Sequence, residues 1–343
     1  MQRNHLLVIT MLLVTALVTT AFIKPRAPQP VSEHELRSAL EKSIPLMQRS
    51  AYMFAGRSAF HCAGCHHHCL TALLEEKALE KGLPLIDSLR QISTATIAIT
   101  MSIGANPNRP DDMAPTRFGI PYGLVSLAAE KYPADEYTDM AVDFILNSQL
   151  PNGSWQADHF RIPAETGEMH LAALSIRSVQ RYASPSKKDK ADSCIAKARR
   201  WLENTKTSEL EQEKTFQLLG LKWAGASPGV IKQLGKELIA LQQADGGWSQ
   251  LPTMTSDAYA TGETLYTLKE SGALSTDDPA YQRGMRYLLA GQQSEGGWIV
   301  VTRAVPVQPF FNAGFPPHDE NQFISAAATN WASLALAEAL PDK

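Results

Sequence analysis

The stretch AGQQSEGGW, residues 290–298, decides the fold of this chain, because its pattern occurs three times. The other copies are NSQLPNGSW at 147–155 and LQQADGGW at 241–248, and all three contain Q-x-x-x-G-x-W. An internal repeat of this kind is typical of an architecture assembled from similar units packed side by side. The sequence therefore predicts a repeat fold, and the segments around each copy define the unit.

Each unit is predicted to be a pair of helices. An amphipathic segment precedes each copy, as at 229–243, where apolar residues recur at helical spacing. A loop and a more apolar segment follow; residues 321–340 contain one charged side chain, Glu338, in twenty positions, so this helix must be buried on most sides. Extending the pattern gives six outer helices, near 34–50, 84–103, 134–149, 190–205, 229–243 and 279–292, and six inner helices, near 58–81, 116–132, 165–183, 210–225, 256–272 and 321–340. Helix pairs bury their apolar faces against neighbouring pairs, so we expect an all-α (α/α)6 toroid in one domain, residues 32–343.

The segment RGMRYLLAGQQSEGGW, residues 283–298, resembles the QW repeat of squalene–hopene cyclases and other triterpene cyclases. The matching residues are Arg283, Gly284, Tyr287, Leu288, Gln292, Gly296 and Trp298. This resemblance implies the α/α toroid shared by terpene cyclases and protein prenyltransferases. The glycine, tryptophan and glutamine of the repeat have structural roles at helix ends. The Asp-x-Asp-Asp acid of squalene–hopene cyclases has no match, and Asp111-Asp112 is the nearest approach.

The first 31 residues predict a location. Leu6 to Ile23 is an uncharged apolar stretch that follows Arg3 and precedes Lys24, which is typical of a secretory signal peptide or an uncleaved membrane anchor with a linker. We therefore expect an exported, periplasmic protein that meets the inner membrane only through this segment. The 32 basic and 35 acidic residues are nearly balanced, so nucleic acid is not an expected partner.

The segment HCAGCHHHCL, residues 61–70, concentrates thiols and imidazoles. Cys62, Cys65 and His66 form C-x-x-C-H, which resembles the haem attachment site of c-type cytochromes. That resemblance implies covalent haem c, with both thiols bonded to the vinyl groups and the imidazole as an axial ligand. The expected function is electron transfer, with a redox partner protein, or oxidation of a small or apolar molecule held in the toroid cavity.

Three alternatives use the same residues. On one helix, Cys62, Cys65, His66 and Cys69 would share a face and, with His67 or His68, hold Zn or Cu. In an oxidising compartment Cys62 and Cys65 could instead form a disulfide. The cysteines could also be plain core residues, although that leaves the histidines unexplained.

Further candidates follow from the predicted topology. The longer loops connect outer to inner helices, so we expect the working mouth of the ring, with the cysteine–histidine segment, at that end. A second haem ligand would come from Met169 and His170, early on an inner helix, with His159, Met254 and His318 as weaker candidates. Asp257 and Glu263 are candidate catalytic acids; Tyr259, Glu165 and Glu168 are polar neighbours, and acids at helix starts also stabilise the helix dipole. The alternative functions are a squalene or terpene cyclase-like enzyme, a Zn- or Cu-dependent enzyme, or a protein that binds an apolar ligand.

Overall fold

The computed structural model describes residues 30–58, 61–105, 117–157, 162–304, 314–316 and 318–342. These residues form twelve α-helices, and no β-strand is found among them. The outer helices are α1 (Glu33–Arg57), α3 (Asp87–Ala105), α5 (Glu136–Ser148), α7 (Lys188–Asn204), α9 (Pro228–Ile239) and α11 (Pro279–Gly291). The inner helices are α2 (Leu70–Glu80), α4 (Gly119–Ala129), α6 (Glu168–Tyr182), α8 (Glu211–Trp223), α10 (Ala258–Glu270) and α12 (Gln322–Glu338).

The inner helices form a closed ring. Each inner helix packs against the next, and α12 returns to pack against α2. Every residue of α12 except Phe323 is buried, as its nearly uncharged sequence predicts. The predicted all-α toroid of six helical hairpins is therefore confirmed. The inner helices lie within the predicted ranges, although α2 begins at Leu70 and not near residue 58, and α1 continues to Arg57.

The three Q-x-x-x-G-x-W turns each fasten their own hairpin to the next one along the chain or, for the last, to the first. The Gln292 amide donates to the carbonyl of Gly296 at 2.9 Å and to that of Ala39 on α1, also at 2.9 Å, so the last copy joins the first outer helix and closes the outer layer. Trp298 donates from Nε1 to the Leu288 carbonyl at 2.7 Å, which ties the turn to its own helix. The copies at 149–155 and 242–248 make the same bonds, to α7 and α11 respectively.

The fourth unit departs from this pattern. Lys206 stands where the glutamine is expected. Here Gln217 of α8 donates its amide to the carbonyls of Leu202, at 2.7 Å, and Thr205, at 2.9 Å, after the end of α7. An amide from the inner helix thus satisfies carbonyls at this helix end.

The chain enters the ring at α1. Ser32 caps this helix, and its hydroxyl and the Glu35 carboxylate form a reciprocal capping box. Among the described helices, none combines the length and the apolar character needed to cross a bilayer. Residues 1–29, which contain most of the predicted leader, lie outside the described part of the chain, so the leader stays a prediction.

Candidate functional site

The cysteine–histidine segment begins inner helix α2. Residues Cys65–Cys69 form a π-helical turn, in which the Leu70 amide bonds to the Cys65 carbonyl. Wide turns of this type are frequent at functional sites. Because the helix begins at Cys65 and not at Cys62, the one-face alignment of Cys62, Cys65, His66 and Cys69 predicted for a metal site is not formed. None of the four cysteines is joined in a disulfide.

The imidazoles of this turn lie inside the protein. His66 is only 6% exposed, and its ring lies between those of Phe54 and Phe323, with centroid distances of 5.5 and 5.0 Å. The His66 carbonyl accepts a hydrogen bond from Asn330 of α12 at 3.1 Å. His66 therefore faces the interior, as a prosthetic-group ligand must.

His67 and His68 are fully buried. Neither ring nitrogen of His67 has a hydrogen-bond partner among the described residues; in His68 only Nδ1 has one, the Gly64 amide at 3.2 Å. Burial lowers the pKa of His67 well below its usual value, helped by His66 and His68, and lowers the pKa of His68 to about 3. Both rings are therefore neutral at physiological pH, which is the form that binds metal ions.

A metal site made of protein ligands alone is not assembled here. Within the described ranges, no group of three or more His, Cys, Asp or Glu side chains is placed to hold an ion. The Zn or Cu alternative therefore depends on a rearrangement of the turn.

His170 occupies the predicted early position on α6 but makes a different kind of contact. Its Nδ1 is 2.9 Å from Nε2 of Gln212, its Nε2 is 2.8 Å from the hydroxyl of Tyr122, and its ring stacks on Phe216 with a centroid distance of 3.6 Å. Each ring nitrogen therefore has a hydrogen-bond partner. Both nitrogens are engaged, so His170 does not offer the open second ligand that the sequence predicts.

The other ligand candidates are dispersed. Met169 is packed in the core, Met254 is half-buried in a turn, and His318 is exposed. His159 lies outside the described residues, as do Asp111 and Asp112.

Two buried carboxyls lie on neighbouring inner helices: Glu211 begins α8, and Glu263 lies midway along α10. Glu263 accepts a hydrogen bond from Thr215 at 3.2 Å, and Glu211 accepts one from Thr264. Burial raises the pKa of Glu263 to about 8; burial, followed by the charge of Glu263, raises the pKa of Glu211. The pair can therefore hold a proton near neutral pH, as a general acid must.

Asp257 has a structural position as well. It is the N-cap of α10: its Oδ1 accepts from the Ala260 amide and its Oδ2 from the Gln250 side chain, both at 2.9 Å. Burial raises its pKa. The two predicted acids thus differ, because Asp257 uses both oxygens in the cap whereas Glu263 lies deeper in the ring. Tyr259, fully buried beside Glu263, has a raised pKa because of burial and then that carboxyl.

An open pocket lies on the ring axis. All six inner helices line it, and Ala129, Arg181 and Trp223 lie at or next to the C-terminal ends of their helices. Its walls are mainly apolar and aromatic, with Tyr122, Phe216 and Trp331 among the most deeply buried. The pocket therefore opens at the end of the short loops, opposite to the end predicted from loop length.

Sequence reasoning missed several of these residues. Glu211 resembles an ordinary acid at a helix start, and spacing along the chain does not show that it lies near Glu263 of α10. The partners of His170, Tyr122 and Gln212, come from other hairpins, so spacing along the chain cannot identify them. The pocket arginines Arg177 and Arg181 carry a clearer signal, since they are two cations on a helix that is otherwise mostly buried.

The fold has close counterparts among solved structures. The type II terpene cyclase MstE from Scytonema superposes with a TM-score of 0.60 at 14% identity, over 91% of this chain and 99% of the cyclase. A glycosidase variant gives 0.56 at 12% identity over 90% and 99%, and a possible GH105 member from Salmonella enterica gives 0.55 at 11% over 95% and 99%. These likenesses establish the toroid fold alone. No protein-family model and no curated protein matches the chain.

Proposed function

We propose that this chain is an exported, periplasmic toroid protein that carries haem c on Cys62 and Cys65, with His66 as axial ligand. Its role would be electron transfer to a partner protein or oxidation of a small or apolar molecule. The observation that carries the proposal is the C-x-x-C-H sequence at the head of an inner helix, followed by the buried, neutral imidazoles of His67 and His68, which are in part without hydrogen-bond partners among the described residues.

The residues present fit this group. Cys62 and Cys65 are half-buried, so their sulfurs are not sealed in the core. Phe54 and Phe323 provide flat apolar surface beside His66, which suits an apolar macrocycle and excludes water. A buried polar atom without a partner costs about 1–3 kcal/mol, so the unpartnered nitrogens of His67 are more consistent with a ligand-binding site than with ordinary core packing.

The surrounding residues hold the turn in place. Gly64 is required here, because a side-chain carbon at this position would lie 2.8 Å from the Phe54 ring. Asn330 bonds to the His66 carbonyl and accepts from Thr71 at 3.2 Å, which fixes the start of α2 against α12. A haem iron held in this way exchanges single electrons and, with one protein ligand, can also bind a small molecule.

The test is the intact mass and visible spectrum of the full chain, expressed with its leader in a host that matures c-type cytochromes. We expect the added mass of one haem, a Soret band, and peroxidase staining that survives denaturation in SDS. Replacing Cys62 and Cys65 together by serine should abolish all three signals, whereas Cys194→Ser, on outer helix α7, should keep them.

Other outcomes would contradict the proposal in distinct ways. Zinc or copper by elemental analysis, without a Soret band, would favour the metal alternative. A mass gain of two hydrogen atoms on reduction, without a cofactor, would favour the disulfide.

Acid catalysis inside the ring is a second candidate, favoured by the raised pKa of Glu263. A neutral carboxyl in an apolar ring can protonate a substrate, and the cyclase MstE has a comparable fold. The test is incubation with squalene or a geranylgeranyl arene and a search for products of unchanged mass. Wild-type protein should form them and Glu263→Gln should not; no product from either would reject this candidate.

A further inference from the structure

The axial pocket has charged groups where it opens. Arg177 and Arg181 of α6 lie one turn apart, and Glu76 of α2 also lines the pocket. The deeper wall has only aromatic and aliphatic side chains. A cavity with an apolar interior and a few polar groups at one place is the usual form of a small-molecule site.

Arg177 is half-buried and lacks a conventional partner. It makes no hydrogen bond and no ion pair with any described residue, and its guanidinium lies 5.3 Å above the ring of Trp223. Burial and the adjacent charge of Arg181 lower the pKa of Arg177. Removing a cation from water without a paired anion is unfavourable, so this arrangement favours an anionic occupant.

The nearby carboxylates do not neutralise the two arginines. Glu76 lies near enough to affect the pKa of Arg177, yet it forms no ion pair with Arg177 or Arg181. Glu270 accepts a hydrogen bond from Trp223 Nε1 at 3.1 Å, which already uses one of its oxygens. The rim therefore keeps guanidinium donors available for a ligand.

We propose that the axial pocket binds an amphipathic anion, whose apolar part lies against Phe216 and Trp331 and whose anionic group is held by Arg177 and Arg181. Planar guanidinium groups bind carboxylates and phosphates through paired hydrogen bonds, whereas the aromatic wall accepts a hydrocarbon chain or ring. This inference does not rest on the haem proposal, since the pocket opens at the other end of the ring.

The experiment is isothermal titration calorimetry of the full chain, with whatever cofactor it carries, against decanoate, decyl phosphate and decanol. We expect at least one of the two anions to bind about tenfold more tightly than decanol, and the stronger of them identifies the preferred head group. Arg177→Gln should weaken binding of that anion about tenfold and leave decanol unchanged. Glu76→Gln should strengthen it about twofold to threefold, because a repelling charge is removed.

The control is Arg200→Gln, an exposed arginine on the outer helix α7, which should bind like the wild type. Thermal melting confirms that each variant is folded, and the opposite sign expected for Glu76→Gln keeps the test informative if Arg177→Gln is unstable. Equal affinity for decanol and both anions, failure of all three to bind, or unchanged anion binding in folded Arg177→Gln would each overturn the proposal.

Discussion

The two ends of the ring are built differently, although both include turns in which a glycine has a positive φ. At the end where outer helices lead to inner ones, a side-chain carbon on Gly296 would lie 2.6 Å from Cβ of Lys42, on the next outer helix. At the opposite end, Gly225 also has a positive φ, 73°, but nothing lies within 4 Å of the same position. The turn at Gly296 is therefore locked between repeats, whereas the turn at Gly225 is an ordinary left-handed helix end.

Because of this difference, the buried titratable groups and the open pocket lie at opposite ends of the ring. The locked end holds the buried imidazoles of the π-helical turn before α2 and the buried carboxyls of Glu211 and Asp257, and Glu263 lies next to them, midway along α10. The axial pocket and its two arginines lie at the open end. Rigid surroundings suit groups that must keep a set geometry. We therefore expect the reactive groups to be held at the locked end. They would act on a ligand that enters from the open end, or act independently of it.

Alanine at the two glycines should break or confirm this contrast. Gly296→Ala meets both a positive φ of 101° and the backbone of α1, so we expect a loss of about 3 kcal/mol or more in the free energy of unfolding. Gly225→Ala meets only the positive φ, so a loss of about 1 kcal/mol is expected. Urea denaturation measures both, and equal losses would mean that the locked end is no more tightly packed than the open one.

The sequence was sufficient to predict the ring because its signals are local and repeated. Each Q-x-x-x-G-x-W copy lies within one hairpin turn, and the apolar segment 321–340 indicates by composition alone that it is an inner helix. Both patterns involve residues that are close together in the sequence. The structure reproduces them as helices α11 and α12 and the turn between them.

The site was less predictable because its groups meet across hairpins. Loop length predicted the opening of the pocket at the wrong end of the ring. The length of a loop does not indicate how closely the side chains of the inner helices pack around the ring axis. The pairing of Glu211 with Glu263 and of Tyr122 with His170 joins residues 52 and 48 positions apart in sequence. Helical spacing over 62–69 also assumed a continuous helix, whereas the turn at Cys65–Cys69 is π-helical and begins three residues later.

The pH dependence of stability should report the carboxyls of the locked end. The pKa of Glu263 is raised to about 8 from its ordinary value of 4.5, so the folded state keeps the proton more firmly than the unfolded state. The contribution of the protonated Glu263 carboxyl to the free energy of unfolding is fully present below about pH 4.5, and it is lost as the pH rises towards 8. We expect the melting temperature of the wild type to fall between about pH 5 and pH 9, which corresponds to a loss on the order of a few kcal/mol in the free energy of unfolding.

The melting temperature of the Glu263→Gln variant should fall less than that of the wild type over the same pH range. At about pH 9 the variant should be more stable than the wild type. The carboxyls of Glu211 and Asp257 have raised pKa values too, so a residual slope is expected. The exposed Glu41→Gln serves as the control and should follow the wild type. Parallel curves for Glu263→Gln and the wild type would show that this carboxyl is ionised in the folded protein at neutral pH.

Tyr122→Phe is expected to have a smaller effect than Gly296→Ala or the titration of Glu263, and it tests whether the two ends are independent. Its hydroxyl bonds to His170 at the locked end, while its ring lines the pocket that opens at the other. Loss of the hydroxyl leaves Nε2 of His170 buried without a partner, so we expect about 1–2 kcal/mol less stability. The aromatic wall is kept, so binding of the preferred decyl anion should be unchanged within about twofold. Tyr182→Phe, which removes a hydroxyl bonded to the Tyr132 carbonyl outside the pocket, is the matched control. If Tyr122→Phe weakens that binding as much as Arg177→Gln does, the polar network around His170 takes part in ligand binding, and the two ends form one site.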